Sequence, residues 1–168
     1  MLQIFSMVSD KGILWIAAGG HGESWNNSGL QPSFQRFGNG EWQYYNQTNY
    51  PEMDGFFDVI SIAVDPRDPN HIFAGSWGGG VLEYRNNELI SRFTNKNSPL
   101  ETAIPAQPDA PYVRIGGLDF DSQGNLWITN SEVAQNLHRL TPEGEWTSVT
   151  LPGVANSLNI GQVLVNRY

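Results

Sequence analysis

Nine residues in polar, loop-like stretches of the chain have side chains suited to ligand binding. They combine aromatic rings with amides and one imidazole: His21, Trp25, Asn26, Asn27, Asn49, Tyr50, Phe56, Phe57 and Trp77. Aromatic faces pack against sugar rings or protein side chains, and amides hydrogen-bond to hydroxyl groups. We therefore predict a surface that binds a carbohydrate or a protein.

The same rings have a structural alternative. Aromatic side chains contribute much of the apolar contact in protein cores, so each ring could instead fill a gap between neighbouring structural units. Trp25 is the strongest candidate for binding, because it lies deepest in the polar segment from His21 to Asn27.

Catalytic chemistry has weak support in the sequence. His21 and Glu23 lie close enough along the chain to form an acid–base pair, but such catalysis also needs a pocket that holds the reacting group. The three histidines, His21, His71 and His138, fall at different positions of the repeat described next, so they do not predict a metal site. We predict a protein that is not an enzyme, with no catalytic residue, no metal and no cofactor.

A repeat positions these residues. Apolar phrases centred on Trp15, Phe73 and Trp127 recur at spacings of 58 and 54 residues. Such a period is typical of solenoids and propeller blades, in which one supersecondary unit is copied and stacked. Each phrase follows an apolar strand and precedes a third strand, a tight turn and a fourth strand. The pattern therefore predicts four strands in each unit.

The strand pattern predicts an all-β fold. Units are expected at about 2–50, 57–96 and 113–151, with an additional first strand at 159–166. Four-stranded blades around a channel form a β-propeller, which normally has about 4–8 blades. We predict a partial β-propeller with three four-stranded antiparallel blades plus the first strand of a fourth. The missing blades of a parent propeller are then expected partners.

Strand direction assigns the connections to two faces. Short turns, from first to second strand and from third to fourth, share one face. The remaining connections lie on the opposite face, which we call the long-loop face: 19–33, 46–57, 76–80, 95–112 and 130–136. Binding residues favour loops held on a rigid scaffold. The long-loop face carries all nine candidates and is the predicted binding surface.

Composition argues against several classes of function. The formal net charge is −8 and Lys and Arg form no cluster, whereas nucleic-acid binding usually needs a basic patch. No apolar run approaches the roughly 18 residues that a membrane-spanning helix needs. The chain has no cysteine, which excludes disulfides and thiolate metal sites. We expect no nucleic-acid partner and no direct membrane span.

Three segments carry a family resemblance: 64–84, 95–100 and 113–121. They resemble the two-component-regulator type of propeller repeat and, more narrowly, the propeller of PorZ-like proteins of the type IX secretion system. The resemblance covers most of residues 58–168 and less of the first unit. It implies a non-catalytic binding and scaffolding role.

The resemblance also implies a location and partners. PorZ-like proteins imply the cell surface or periplasm of a Gram-negative bacterium, with a signal peptide that is not in this chain. They imply protein partners in a secretion complex and a glycan or lipopolysaccharide ligand. A related repeat implies the alternative of a periplasmic ligand-sensing propeller of a hybrid two-component histidine kinase, with partners in a signalling complex. A third alternative is a propeller lyase, which the segment 124–130 resembles.

Overall fold

The computed structural model describes residues 4–166, and these residues form an all-β protein. The first unit is an antiparallel sheet with its strands in chain order: β1 (Ser6–Asp10), β2 (Ile13–Ala17), β3 (Ser33–Gly38) and β4 (Glu41–Asn46). Residues 2 and 3, which the predicted first unit includes, lie outside the described part of the chain.

The second and third units have the same antiparallel order. The second contains β5 (Val59–Asp65), β6 (Asp68–Gly78), β7 (Gly80–Arg85) and β8 (Glu88–Phe93). The third contains β9 (Val113–Phe120), β10 (Leu126–Asn130), β11 (Leu137–Leu140) and β12 (Trp146–Val149). The two sheets join where Trp77, near the end of β6, pairs with Arg114 at the start of β9.

The repeated apolar phrases occupy the second strand of each unit. Trp15, Phe73 and Trp127 lie at equivalent positions of β2, β6 and β10, each paired with a first strand and a third strand. A strand held between two others and covered by neighbouring sheets must be apolar on both faces. The prediction of a partial β-propeller built from four-stranded blades is confirmed.

Residues 159–166 take the predicted place of a further first strand but carry no strand hydrogen bonds. They lie against the face of β9, so closely that a Cβ atom on Gly116 would collide with the carbonyl oxygen of Ile160. Thr129 Oγ1 donates to the carbonyl oxygen of Gly161 at 2.7 Å. Because this segment lies on the face of β9 and not along its edge, it forms no hydrogen-bonded ladder with β9.

One connection differs from its prediction. The segment 76–80 was expected to form one of the loops of the long-loop face, but β6 continues to Gly78 and β7 begins at Gly80. Gly78 and Gly80 have φ angles of 140° and 87°, and glycine adopts such angles at low cost. A single intervening residue, Gly79, therefore completes the connection.

Hairpin turns join the outer strands of the first two blades. Asn39 and Gly40 have φ angles of 55° and 80°, and Asn86 and Asn87 have φ angles of 52° and 67°. A type I′ turn needs positive φ at both central residues, and Asn and Gly tolerate this backbone best. These residues therefore determine where β3 and β7 reverse.

The core lies in two seams between blades. The first seam, between the first and second blades, contains fully buried aromatic side chains: Phe34, Tyr45, Phe56 and Tyr84, with Trp15 beside them. The second seam, between the second and third blades, is mostly aliphatic with fewer rings: Phe73, Ile115, Leu118, Phe120, Leu126, Ile128 and Leu140. Apolar burial in these seams holds the blades together.

The first strands surround a central channel. A cavity of about 240 Å³ is lined by residues 5–10 of the first blade, 60–64 of the second and 116–119 of the third, together with 162–164. Residues 162–164 therefore lie in the place of a fourth first strand. The ends of these strands bring the loops of the long-loop face together around the channel opening.

Candidate functional site

Three rings meet on the long-loop face beside the channel. His21 stacks on Trp25 with ring centroids 4.4 Å apart, and the Trp77 ring lies 5.2 Å from His21 and 5.9 Å from Trp25. We call these three residues the mouth cluster. Phe5, which lines the channel, packs edge-on against His21 at 5.1 Å. The cluster therefore connects the predicted binding loops to the channel opening.

A small backbone turn presents Trp25. Gly22 N donates to the carbonyl oxygen of Asn26 at 2.8 Å, and Trp25 N donates to the carbonyl oxygen of Gly22 at 3.0 Å. Trp25 has a φ angle of 61°, which is uncommon for a bulky residue. Such strained residues concentrate at functional sites. The indole is half-buried, and its neighbour Asn26 is exposed.

A buried carboxylate fixes the loop that follows. Asp58 is fully buried at the entrance to β5. Its carboxylate accepts hydrogen bonds from Gly29 N at 2.8 Å and Leu30 N at 2.9 Å. Charge-assisted hydrogen bonds of this kind are stronger than neutral ones. Asp58 therefore ties residues 29–30 of the first blade to the second blade.

Two of the predicted binding residues are buried and cannot contact a ligand directly. Trp77 is 0% exposed and Phe56 is 2% exposed. Trp77 Nε1 donates to the carbonyl oxygen of Trp25 at 2.7 Å, so its ring supports the turn that carries Trp25. Phe56 packs in the first seam, with the Arg92 guanidinium 5.5 Å from its ring centroid.

Arg114 belongs to the site, although the sequence analysis did not select it. Its guanidinium lies 5.3 Å from the ring centroid of Trp77 and 5.2 Å from that of Tyr112. Arg114 Nη1 donates to Glu132 Oε2 at 2.5 Å. The Arg114 side chain is 10% exposed. Cation–π contact and a carboxylate together compensate this buried charge.

Asn27 links the loops of different blades. Its amide nitrogen donates to the carbonyl oxygen of Trp77, and its side-chain oxygen accepts from Tyr112 Oη. The half-buried ring of Phe57 lies 6.5 Å from Tyr112. Asn27 and Phe57 therefore lie beside the mouth cluster but are engaged in the scaffold that supports it.

Asn49 and Tyr50 lie elsewhere. Tyr50 stacks on Tyr45 at 5.2 Å and meets Tyr84 edge-on at 5.4 Å, which places it at the first seam. Burial raises the pKa of the Tyr50 phenol. Asn49 is exposed, and its amide donates to the carbonyl oxygen of Tyr44 at 3.0 Å. The structure does not bring these two residues to Trp25.

His21, which could form an acid–base pair with Glu23, contacts a backbone carbonyl, and His138 contacts a serine hydroxyl. His21 Nδ1 lies 3.0 Å from the carbonyl oxygen of Gly22. His138 is fully buried, with Nδ1 2.9 Å from Ser148 Oγ. Burial lowers the pKa of His138 to about 4, so its ring is neutral at pH 7. Among residues 4–166, no group of three or more His, Cys, Asp or Glu side chains could hold a metal ion.

A second polar site lies in the second seam, toward the short-turn face. Burial acts to raise the pKa of Asp65, but hydrogen bonds from Arg67 and His71 lower it to about 2. His71 Nδ1 lies 3.1 Å from Asp65 Oδ2, and His71 Nε2 lies 2.9 Å from Glu83 Oε1. These residues line a cavity of about 130 Å³. Sequence reasoning missed it because Glu83 is 12 residues from His71 and one strand away.

Comparison with known proteins gives a structural likeness. No protein-family model and no curated protein matches the sequence. Among solved structures, PorZ of Porphyromonas gingivalis is 29% identical and superposes with a TM-score of 0.82 over 92% of this chain. The chain resembles PorZ. It spans 20% of the length of PorZ, which is described as an essential bacterial surface component of the type IX secretion system.

More distant structures share only the fold. The extracellular domain of BT3049 from B. thetaiotaomicron, a hybrid two-component system, is 14% identical, with a TM-score of 0.56 over 89% of this chain and 18% of its own. The WD40 repeats of RRP9 are 12% identical, with a TM-score of 0.58 over 89% of this chain and 39% of theirs. Of these three structures, PorZ is the one with a sequence likeness as well. No helix in residues 4–166 is long and apolar enough to span a membrane.

Proposed function

We propose that the chain is a non-catalytic binding module of a bacterial surface or periplasmic protein and that it serves a secretion system, as PorZ does. The likeness to PorZ, 29% identity with a TM-score of 0.82 over 92% of this chain, carries the proposal. The other PorZ-like expectations, protein partners in the secretion complex and a glycan or lipopolysaccharide ligand, belong to the same proposal.

Within this role, the surface around Trp25 receives the ligand. Trp25 offers a half-buried ring, with exposed Asn26 beside it to hydrogen-bond to hydroxyl groups. The turn that carries this ring is supported by buried Trp77, which donates to the carbonyl oxygen of Trp25, and the ring itself stacks on His21. A rigid aromatic anchor loses little entropy on binding.

Deletion of the gene in its source bacterium tests the role in secretion. The expected result is that cargo proteins of the type IX system disappear from the cell surface and the medium, and that the intact gene restores them. Normal cargo secretion in the deletion strain would contradict the proposal. A lost transcriptional response to glycans, with secretion unchanged, would favour the alternative of a ligand-sensing propeller, for which the fold of the BT3049 extracellular domain is the supporting observation.

The Trp25→Ala variant tests the binding surface. Binding to glycans on an array, or to co-purifying secretion partners, should weaken by about 2 kcal/mol, the lower limit of a hot spot. The matched control is Trp42→Ala, which removes a 47% exposed ring on β4, away from the mouth cluster. If Trp25→Ala and Trp42→Ala bind equally well, Trp25 is not an anchor. The same conclusion follows if Trp25→Ala binds less only because it is less thermally stable.

A further inference from the structure

His71 lies in the second seam, away from the long-loop face, and the proposed function does not use it. The residue is 7% exposed. Its Nε2 atom lies 2.9 Å from Glu83 Oε1, and its Nδ1 atom lies 3.1 Å from Asp65 Oδ2. Both distances are those of hydrogen bonds. The imidazole ring therefore stands between two carboxylates.

A third group competes for Nδ1. Arg85 Nη2 lies 3.0 Å from this atom. A carboxylate only accepts hydrogen bonds and a guanidinium only donates them. When Nδ1 carries a proton it can donate to Asp65, and when it carries none it can accept from Arg85. Nδ1 therefore cannot form both contacts as hydrogen bonds in one protonation state.

The neutral and the charged ring favour different partners. A neutral ring with its proton on Nε2 makes two hydrogen bonds, one to Glu83 and one from Arg85, whereas a proton on Nδ1 leaves only the bond to Asp65. A charged ring, protonated on both nitrogens, donates to both carboxylates, and such charge-assisted hydrogen bonds are stronger than neutral ones. The neutral ring therefore holds Arg85, and the charged ring replaces it with Asp65.

Arg85 is the partner that can move. Its side chain is 50% exposed, and its Nε atom lies 3.9 Å from Asp68 Oδ2. Asp65 is 2% exposed, and Arg67 holds it with hydrogen bonds from the backbone N at 2.9 Å, from Nε at 3.0 Å and from Nη2 at 2.9 Å. A proton on Nδ1 can therefore be accommodated by a turn of Arg85 toward Asp68, while Asp65 stays in place.

The charges around the ring carry an excess of negative charge. Within the second blade, the charged side chains around the ring and its partners belong to β5, the β5–β6 turn, β6 and β7: Asp65, Arg67, Asp68, Glu83 and Arg85. Three of these are negative and two are positive. A proton on His71 compensates the excess, because opposite charge nearby favours the charged form of a group.

The neighbouring elements add no charge to the cavity wall beside the ring. In the described part of the chain, β8 and the third blade line this cavity with uncharged residues only. Two carboxylates of the third blade act on Arg67 instead. The hydrogen bond to Asp65 raises the pKa of the Arg67 guanidinium, and the charges of Glu143 and Asp121 raise it further. The third blade therefore adds negative charge on the side of Arg67 and none beside Arg85.

We propose that His71 is a proton-driven switch for the position of Arg85. When the ring is neutral, it bonds to Glu83 and Arg85 and holds the guanidinium at the wall of the cavity. When the ring is protonated, it bridges Glu83 and Asp65. Arg85 is then released and turns toward Asp68. A fall in pH therefore moves a positive charge on the short-turn face, while both carboxylates keep a hydrogen-bond donor.

Nitrogen NMR of the histidine rings tests the switch on the purified chain from about pH 9 to pH 5, which spans the range in which histidine changes charge. The His71→Gln variant identifies the signals of this ring. At the alkaline end Nε2 alone should carry a proton, and at the acid end both nitrogens should. A ring that shows one protonation state throughout, or a neutral ring with its proton on Nδ1, would overturn the proposal.

The Arg85→Met variant tests the competition for Nδ1. It removes the donor that satisfies the neutral ring and a positive charge close to it, so the transition of His71 should move to higher pH by about one unit. The matched control is Lys96→Met, which removes a positive charge of similar exposure, 49%, from the long-loop face and should leave the transition unchanged. An unchanged transition in Arg85→Met, or an equal shift in Lys96→Met, would overturn the proposal.

The Glu83→Gln variant should have the opposite effect. It removes a carboxylate that the charged ring donates to, so the transition should move to lower pH by about one unit. The control is Glu41→Gln, an exposed residue of the first blade, which should leave the transition unchanged. If Glu83→Gln does not fold, Arg85→Met decides alone, because it alters a half-exposed side chain. A transition that does not move in folded Glu83→Gln would show that the charged ring does not bridge the two carboxylates.

Discussion

The two seams join similar blades with different chemistry. In the first seam, Tyr45 stacks on Phe34 at 4.4 Å and on Tyr50 at 5.2 Å, and Tyr84 meets Tyr45 edge-on at 5.5 Å. Such aromatic pairs add about 0.5–1.5 kcal/mol to the burial of their area. The first seam is therefore a continuous cluster of rings, three of which are phenols: Tyr45, Tyr50 and Tyr84.

The second seam combines aliphatic packing with ionisable groups. It contains the cavity of about 130 Å³, and Asp65 and His71 lie at its polar side. His138, opposite Ile128 in the β10–β11 ladder, is buried in the same seam. Hydrogen bonds lower the pKa of Asp65 and keep it charged, whereas burial lowers the pKa of His138 and keeps it neutral.

The two seams join blades of the same architecture, but their stability should depend on pH in opposite directions. Buried phenols stabilise the first seam only while they are protonated. The second seam needs Asp65 deprotonated and His138 neutral. The first seam should therefore fail at high pH and the second at low pH.

The largest expected difference between the seams comes from removing one buried ring. Phe34→Ala in the first seam should lower the free energy of unfolding by about 4 kcal/mol, because truncating a packed Phe leaves a cavity. Phe120→Ala in the second seam should cost less, since its ring already borders open space. Chemical denaturation measures both. An equal or larger loss for Phe120→Ala would show that the second seam is packed as tightly as the first.

Acid should destabilise the chain through His138. Burial lowers its pKa from 6.5 to about 4, so the unfolded chain binds the proton more tightly than the folded chain. The contribution of neutral His138 to the free energy of unfolding is fully present above pH 6.5. It is lost as the pH falls toward 4, and the whole loss is about 3 kcal/mol. Denaturation between about pH 7 and pH 4.5 measures this loss while Asp65, with its pKa near 2, stays charged.

The control for the acid effect is His138→Asn. Its side-chain oxygen can accept from Ser148 Oγ in place of Nδ1, and it does not titrate. This variant should lose less stability than the wild type over the same pH range, although it is less stable at pH 7. Parallel curves for the two proteins would show that His138 does not determine the acid response.

The sequence predicted the blades but only part of the site. The repeat period and the apolar phrases predict β2, β6 and β10, because the inner strands of a blade are apolar on both faces. The same reasoning assigned Trp77 to a loop, since glycines at 78–80 are equally typical of a loop and of a tight strand reversal. The structure places Trp77 in a strand and buries it.

Side-chain contacts between strands and between blades left no signal in the sequence. Arg114 reaches Trp77, 37 residues earlier, across the joint between β6 and β9. His71 meets Glu83 across a strand pair whose register depends on the whole blade. Local pattern specifies which residues face the same side of one strand. It does not specify how side chains of neighbouring blades interlock.

Alkaline pH should weaken the first seam. Burial raises the pKa of Tyr45 and of Tyr84 above the ordinary value of 10, so the unfolded chain releases these protons first. The contribution of these two phenols to the free energy of unfolding is fully present below pH 10. Above pH 10 it is lost at up to about 1.4 kcal/mol per pH unit for each phenol. Tyr84→Phe should reduce the loss of stability between about pH 9 and pH 11. The control Tyr44→Phe alters a 47% exposed ring and should retain the full loss.

The smallest expected effect separates the two phenols of the first seam at neutral pH. Tyr45 Oη donates to Asn87 Oδ1 at 2.7 Å, whereas Tyr84 Oη is buried without a hydrogen-bond partner in the described part of the chain. Tyr45→Phe removes this hydrogen bond and leaves Asn87 Oδ1 without its donor, so it should lower the free energy of unfolding by about 1 kcal/mol. Tyr84→Phe removes an unsatisfied hydroxyl from an apolar seam and should be neutral or stabilising.

Chemical denaturation of both variants at pH 7 measures this difference, and the two rings are alike enough to serve as each other's control. Both are 1% exposed and they lie 5.5 Å apart, so burial of the ring itself cancels in the comparison. A loss of about 1 kcal/mol in Tyr84→Phe would mean that its hydroxyl has a partner such as a bound water. The first seam would then hold water, and its contrast with the polar second seam would be one of degree.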